Sequence, residues 1–286
     1  MVSFDMAFST LISTGALGLH LDDPGFVIVD CRYKLDDESW GEREFTTLHI
    51  AGAVYAHLGH DLAGPKTGTN GRHPLPDPKT LADTFGGFGI TSGVQVVAYD
   101  QDSGMYASRL WWMLRWLGHD AAAVLDGGFK KWLAEGRPTR AGAEPRARKT
   151  FTGTPRPEMT VNAQQVASLV RHADWRLVDA RAPERFRGEI EPIDKTPGHI
   201  PGAANHFFQT SIDEHGTFRT PEDLREDWRD VLGTVAPDHI VSYCGSGVTA
   251  CHNLLALEHA GIKGARLYPG SWSEWSADPS RPVEIG

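Results

Sequence analysis

The sequence has 286 residues, 40% hydrophobic and 23% charged, with a formal net charge of -9 at pH 7. This composition predicts a globular chain of one large or two ordinary domains, and its acidity argues against a nucleic-acid partner. Three cysteines are too few for a disulfide framework, the N-terminal stretch lacks a signal-peptide pattern, and no apolar run is long enough to cross a membrane. We therefore expect a cytoplasmic protein without a membrane partner.

Two halves of the chain share four blocks of similar sequence in the same order. The paired blocks are 26–32 with 176–181, 49–53 with 199–203, 96–100 with 240–244, and 125–129 with 268–272. This order indicates a tandem duplication. We predict a first domain over 1–136, a linker over 137–157 rich in proline (Pro145 among them) and solvated basic residues, and a second domain over 158–286.

Each half predicts strands that alternate with helices. The first strand ends in Asp-x-Arg, the second follows Gly-Ala, and the third ends at Asp100 or at Cys244. The next helix and the fourth strand are expected over 104–117 and 122–125, and again over 248–261 and 265–268. The pattern predicts an α/β fold with a parallel sheet flanked by helices in each half, and it places functional sites at the carboxyl ends of strands.

Cys244 is the strongest candidate for chemistry. It follows the apolar run 240–243 and precedes the small residues Gly245, Ser246 and Gly247, after which a helical pattern begins. Such a loop turns backbone N–H groups toward one point, so we expect a nucleophilic thiolate there rather than an inert buried cysteine. Because Asp100 stands at the equivalent place and has no thiol, the first domain is predicted to be catalytically silent.

The tandem halves, the loop without cysteine and the motif Cys-Gly-Ser-Gly-Val-Thr together resemble the two-domain sulfurtransferases of the rhodanese superfamily. The motif is similar to that of 3-mercaptopyruvate sulfurtransferases, whereas thiosulfate-preferring rhodaneses typically carry Arg and Lys where this chain has Gly245 and Ser246. The resemblance implies that a Cys244 persulfide carries sulfur from a small anionic donor to cyanide, a thiol or a thioredoxin-like acceptor. It implies no cofactor and no metal.

The same resemblance assigns roles to further residues. Arg185 would bind the anionic group of the donor, although a surface ion pair with Glu184 or Glu189 is the alternative. Ser246 would form a proton relay with Asp61 and His73, two residues of the first half expected to reach an interdomain cleft. The loop residues expected to contact the donor are Gly245, Gly247, Val248 and Thr249, and Thr249 could also cap the helix.

The chain departs from the family pattern at one place. Asp194 stands where mercaptopyruvate enzymes often carry a second arginine, nine residues after Arg185. Arg187 or Lys195 could replace that arginine, and Arg72, in a turn-rich stretch, could also act on the anionic donor. Thiosulfate therefore stays open as the alternative donor.

Two other functions are alternatives on this fold. A phosphatase on the same fold requires arginine six positions after the cysteine, where this chain has Ala250. A non-catalytic sulfur carrier remains an alternative, although Cys244 and Arg185 favour catalysis. The spacing of the cysteines does not fit a zinc site. Residues expected to support the fold rather than the chemistry are Cys31, Cys251, His49, His199, Trp111, Trp112 and Trp116.

Overall fold

The computed structural model describes residues 7–144 and 146–286, so Pro145 and the N-terminal stretch considered above lie outside the described residues. The described chain forms two compact units. The first consists of the chain up to Ala63 with Pro76–Arg156 and Glu214–Thr217, and the second consists of Gly64–Leu75, Pro157–Asp213 and Phe218–Gly286. None of the helices in the described residues is both long and apolar enough to cross a membrane.

The first unit is built on a parallel sheet with the strand order β1-β6-β5-β2-β4. A short antiparallel pair, β3 with β7, lies outside this sheet. The strands are β1 (Leu11–Ile12), β2 (Phe26–Asp30), β3 (His49–Ile50), β4 (Val54–Tyr55), β5 (Gln95–Tyr99), β6 (Ala122–Leu125) and β7 (Thr139–Arg140). The helices are α1 (Thr14–Gly18), α2 (Trp40–Thr47), α3 (Pro78–Gly87), α4 (Ala107–Trp116) and α5 (Gly128–Ala134).

The second unit has a parallel sheet with the order β11-β10-β8-β9. Its strands are β8 (Arg176–Asp179), β9 (Ala204–Asn205), β10 (Ile240–Tyr243) and β11 (Arg266–Leu267). Its helices are α6 (Ala163–Leu169), α7 (Pro183–Phe186), α8 (Pro221–Leu232), α9 (Thr249–His259) and α10 (Ser271–Trp275). Short 3-10 helices cover Pro157–Met159, Phe208–Ser211 and Pro237–His239.

Burial explains why these segments form strands. The central strands β5 and β10 are buried along their whole length, as expected for apolar runs in a sheet covered on both faces. In each unit one core cluster joins the sheet to aromatic residues, with Trp132 in the first and Trp272 and Trp275 in the second. The helix α4 places Trp111, Trp112 and Trp116 in the core, as predicted.

The predicted duplication and the α/β fold are confirmed by the sheet order, since β6-β5-β2-β4 repeats as β11-β10-β8-β9. The Asp-x-Arg motifs have the same structural role in both units. Arg32 pairs with Asp30 and Arg181 pairs with Asp179, each at 2.7 Å and with both side chains buried. These buried ion pairs fix the chain where it leaves β2 and β8.

One local expectation was wrong. The helix α9 begins at Thr249, and its N-cap Val248 makes no side-chain capping hydrogen bond, so Thr249 is the first helical residue rather than the cap. Among the basic residues predicted to be solvated, Arg140, Arg148 and Lys149 are exposed, and some of the basic residues also have partners within the first unit. Arg146 donates to the Phe26 carbonyl at 2.6 Å, and Arg148 is paired with Asp83.

Candidate active site

Cys244 lies directly after β10 and its side chain is almost fully buried, with 2% of the residue exposed. Its N–H donates to Ser271 Oγ at 3.1 Å, and its carbonyl accepts the N–H of Trp272 at 2.9 Å. The backbone of the cysteine is therefore fixed on both sides by the start of α10. Cys244 Sγ accepts the N–H of Gly247 at 3.1 Å, which is the kind of contact that stabilises a sulfur anion.

The loop needs glycine at position 247. Gly247 has a φ of 77°, in the left-handed region, and a Cβ there would run into the carbonyl oxygen of Pro269. The conformation turns the Gly247 N–H toward Cys244 Sγ, while the Gly247 carbonyl accepts the thiol of Cys251 at 3.3 Å. Cys251 is buried and serves the loop through this contact, in keeping with the predicted structural role.

Ser246 and His73 form a direct hydrogen bond, with 2.8 Å between Ser246 Oγ and His73 Nδ1. Both residues are buried, and both belong to the second unit, because the segment Gly64–Leu75 is part of it. The segment is held to this unit by the Arg72 N–H, which donates to Ser273 Oγ at 3.0 Å. Two of the three residues predicted for the relay are therefore in hydrogen-bond contact.

Asp61, the third residue predicted for the relay, belongs to the first unit. Its carboxylate accepts the N–H of His57 at 2.7 Å, and burial raises its pKa although this hydrogen bond opposes the shift. A part for Asp61 in proton transfer stays a prediction.

Arg185 lies on the short helix α7 and pairs with neither Glu184 nor Glu189, the partners considered from the sequence. Its Nη2 is 2.7 Å from Glu191 Oε1 and 3.5 Å from Asp194 Oδ2. Burial raises the pKa of Glu191, but hydrogen bonds from Arg185 and from the Asp194 N–H reverse the shift and leave it lowered. A buried carboxylate thus holds the guanidinium of Arg185 in place.

Arg72 and Arg185 both approach Gly245. A Cβ at position 245 would lie 2.8 Å from Arg72 Nη2 and 3.7 Å from both terminal nitrogens of Arg185. Arg72 Nη1 also forms an ion pair with Asp194. The two residues suggested from the sequence as replacements, Arg187 and Lys195, behave differently, since Arg187 pairs with Glu189 at 2.7 Å and Lys195 is exposed.

Sequence reasoning missed two residues of this site. Ser271 has a φ of 54° although it is not glycine, and its hydroxyl accepts the Cys244 N–H. The repeat holds the signal for it, because the equivalent residue of the first half is Gly128, with a φ of 56°. Glu191, the carboxylate behind Arg185, carried no sequence signal because its role depends on the folding of the segment after α7.

The assembled groups suit nucleophilic chemistry on an anionic molecule. A buried sulfur at a backbone N–H, a serine–histidine pair and two guanidinium groups lie on one loop and the segments packed against it. Within the described ranges, no group of three or more His, Cys, Asp or Glu side chains could hold a metal ion.

Comparison with known proteins identifies the family of this chain. The Rhodanese-like domain family matches twice, over residues 13–135 and 162–278. The chain belongs to the rhodanese family. It is 43% identical, over 98% of its length and 100% of the relative, to a probable 3-mercaptopyruvate sulfurtransferase of Pseudomonas aeruginosa. It is 33% identical, over 96% of its length and 92% of the relative, to a thiosulfate sulfurtransferase of Cricetulus griseus.

Solved structures agree with this assignment. The 3-mercaptopyruvate sulfurtransferase from Leishmania major superposes with a TM-score of 0.83 at 29% identity, covering 94% of this chain and 74% of that one. The predictions of a tandem rhodanese chain and of the sulfurtransferase class of enzyme are thereby confirmed. The relatives include enzymes named for each of the two donors that the sequence left open.

Proposed function

We propose that this rhodanese-family protein moves a sulfane sulfur from 3-mercaptopyruvate to a thiophilic acceptor through a persulfide on Cys244. The observation that carries the proposal is the hydrogen bond from the Gly247 N–H to Cys244 Sγ in a buried loop flanked by Arg185 and Ser246. A thiolate is both nucleophile and leaving group here, so such stabilisation serves both halves of the reaction.

In the first half-reaction the Cys244 thiolate attacks the sulfur of 3-mercaptopyruvate. A sulfur–sulfur bond forms, the carbon–sulfur bond of the donor breaks, and its electron pair enters the enolate of pyruvate. The donor's thiol proton ends on that enolate, so the products are pyruvate and a Cys244 persulfide anion. In the second half-reaction cyanide or a thiolate attacks the outer sulfur and the Cys244 thiolate returns.

Ser246 and His73 are proposed to stabilise the negative charge that develops on the donor. The Ser246 hydroxyl, aligned by its 2.8 Å hydrogen bond to His73, would donate toward the developing enolate oxygen. The buried position of both side chains supports this, because a hydrogen bond is stronger where water is excluded. Arg185 would bind the donor's carboxylate through a planar guanidinium held by Glu191.

Thiosulfate is the alternative donor, since one relative bears that name. The same thiolate would attack its outer sulfur and release sulfite. We further propose a cytoplasmic location and a thiol or thioredoxin-like acceptor, because all three cysteines are free in the described chain and a thiolate nucleophile requires a reducing environment.

The test is Cys244→Ser, an almost isosteric change. We expect the variant to keep the far-UV circular dichroism of the wild type and to lose thiocyanate formation from either donor. Cys31→Ser is the matched control, because Cys31 is a buried cysteine of the first unit. Thiocyanate formation by Cys244→Ser at the wild-type rate would contradict the mechanism.

The donor is tested by measuring kcat/KM for 3-mercaptopyruvate and thiosulfate with one acceptor. We expect a preference for 3-mercaptopyruvate of at least about tenfold, which corresponds to about 1.4 kcal/mol of transition-state stabilisation. A preference of that size for thiosulfate would transfer the proposal to the alternative donor.

A further inference from the structure

The first observation concerns the space beside Gly245. The nearest groups to a Cβ at that position are the guanidinium groups of Arg72 and Arg185, at 2.8 Å and 3.7 Å. They reach the loop from different parts of the second unit, Arg72 from the segment 64–75 and Arg185 from α7. Position 245 follows the nucleophile directly, so two positive charges lie beside the loop that would hold the donor's sulfur.

The second observation concerns Asp194, whose two carboxylate oxygens are divided between these arginines. Oδ1 pairs with Arg72 Nη1, and Oδ2 lies 3.5 Å from Arg185 Nη2. The Asp194 side chain is only 9% exposed, so its charge is poorly screened by water. Within the described chain, Arg72 Nη2 and Arg185 Nη1 have no hydrogen-bond acceptor, so each guanidinium keeps a donor group for a ligand.

We propose that Arg72 is the second donor-binding guanidinium of the site and that Asp194, by holding Arg72 and offsetting its charge, makes the site selective for a donor with one negative charge. This inference rests on the proposed function and names the residues that set its donor class. Asp194 would thus contribute to donor selectivity at the place where the family pattern would put an arginine.

The charges explain the direction of the selectivity. Arg72 and Arg185 would together suit a doubly charged anion such as thiosulfate. Asp194 removes one of those charges by direct pairing, so the remaining field suits a monocarboxylate such as 3-mercaptopyruvate. The buried Glu191 behind Arg185 offsets further positive charge. A dianion would therefore meet repulsion from carboxylates that a monoanion experiences only half as strongly.

A purely structural role for Arg72 is the alternative. Its N–H contact with Ser273 and its ion pair with Asp194 could simply fasten the segment 64–75 to the second unit. The two roles differ in how the rate depends on the charge of the reacting molecule. If Arg72 only fastens the segment, its loss should affect all donors alike. If its charge acts on the donor, its loss should change the rates of anionic reagents and leave those of neutral reagents unchanged.

The kinetic test uses the full-length chain with Arg72→Met, Arg72→Lys and Asp194→Asn. We expect Arg72→Met to raise KM for 3-mercaptopyruvate about tenfold with kcat within about twofold, and Arg72→Lys to recover part of the loss. Asp194→Asn is expected to raise kcat/KM for thiosulfate about fivefold relative to that for 3-mercaptopyruvate. Arg225→Met and Glu222→Gln, an exposed pair on α8, are the matched controls and should change neither ratio.

A second readout needs no sulfur transfer. Cys244 is alkylated with iodoacetate, an anion, and with iodoacetamide, its neutral analogue, and the modified peptide is quantified by mass spectrometry. The rate constant for iodoacetate divided by that for iodoacetamide should fall about threefold or more in Arg72→Met and rise by a similar factor in Asp194→Asn.

The outcomes separate this inference from the proposed function. Unchanged alkylation ratios in both variants, or equal changes for both donors in Asp194→Asn, would overturn the role of Arg72 and Asp194. If the alkylation ratios shift as expected while the wild type releases no pyruvate from 3-mercaptopyruvate, the charge arrangement stands and the proposed function fails.

Discussion

The loops after β5 and β10 hold the same place in the two units and bind different groups. In the first unit the loop is filled by its own carboxylate. Asp100 Oδ1 accepts the N–H groups of Asp102 and Gly104 at 3.1 and 3.0 Å, and Oδ2 accepts those of Tyr106 and Ala107 at 2.7 and 3.1 Å. Burial raises the pKa of Asp100, although these four hydrogen bonds act in the opposite direction.

In the second unit the same turn surrounds a smaller group. Cys244 Sγ accepts the N–H of Gly247, and no carboxylate side chain is built into the turn between β10 and α9. The comparison indicates that this turn suits an anion: its N–H groups bind the Asp100 carboxylate in the first unit, and under the proposed function they would stabilise sulfur on Cys244 in the second. The first unit supplies the anion permanently, whereas the second would acquire it as a thiolate or a persulfide. The loop after β5, which we predict to be catalytically silent, is therefore a version of this turn with its hydrogen-bond acceptor built in.

The two units also differ at Gly128 and Ser271, which follow β6 and β11. Gly128 and Ser271 have nearly equal φ angles of 56° and 54°, a conformation that favours glycine. In the second unit a serine adopts this strained backbone conformation. Its hydroxyl accepts the Cys244 N–H and donates to the Tyr268 carbonyl at 2.9 Å. Strain at a non-glycine residue thus lies beside Cys244, the proposed nucleophile.

The largest expected effect comes from removing the Asp100 carboxylate from the loop after β5. Asp100→Ala leaves four N–H groups without their acceptor, three of them in buried residues, and should lower the free energy of unfolding by about 4 kcal/mol, with Asp100→Asn losing about half as much. Chemical denaturation followed by far-UV circular dichroism measures both. Asp22→Ala, at an exposed aspartate, is the control. A loss below about 1 kcal/mol in Asp100→Ala would break the comparison.

An intermediate effect is expected at Ser271. Ser271→Ala loses the hydroxyl and keeps the backbone strain, so its free energy of unfolding should fall by about 2 kcal/mol, whereas Ser271→Gly relieves the strain and should lose about 1 kcal/mol. Both variants should form the persulfide more slowly, by about tenfold, because the Cys244 backbone loses a fixed contact. A glycine variant less stable than the alanine variant would show that Ser271 is not strained.

The smallest effect is expected at Cys251. Cys251→Ala removes a buried sulfur and its hydrogen bond to the Gly247 carbonyl, at a cost of about 1 kcal/mol in the free energy of unfolding. Thiocyanate formation should stay within about twofold of the wild type, because Gly247 keeps its left-handed backbone conformation and its N–H still reaches Cys244 Sγ. Loss of activity in this variant would mean that a second cysteine takes part in the chemistry.

The sequence was sufficient for features that depend on short patterns. The repeat, the strand that ends at Cys244 and the glycine loop follow from local periodicity and small residues, and they led to the correct fold and family. Arg185 could be singled out through the family resemblance, because it lies in the stretch Arg-Phe-Arg-Gly that follows Asp179-Ala180-Arg181. These inferences needed no knowledge of distant contacts.

Other features depend on contacts that no local pattern encodes. Ser246 and His73 are hydrogen-bonded across 173 residues of sequence, a pairing that only the family resemblance suggested. The pairing of Asp194 with Arg72 spans 122 residues, so from the sequence Asp194 looked only like a missing arginine. The strain at Ser271 likewise became evident only from the backbone angles.

The most direct test of the central claim is to trap the intermediate. The protein is mixed with 3-mercaptopyruvate without an acceptor, blocked with iodoacetamide, digested and analysed by mass spectrometry. We predict that the peptide containing Cys244 gains one sulfur atom in an amount equal to the pyruvate released, and that cyanide removes this sulfur. Release of pyruvate with the added sulfur on Cys31 or Cys251, or on no cysteine, would contradict the account.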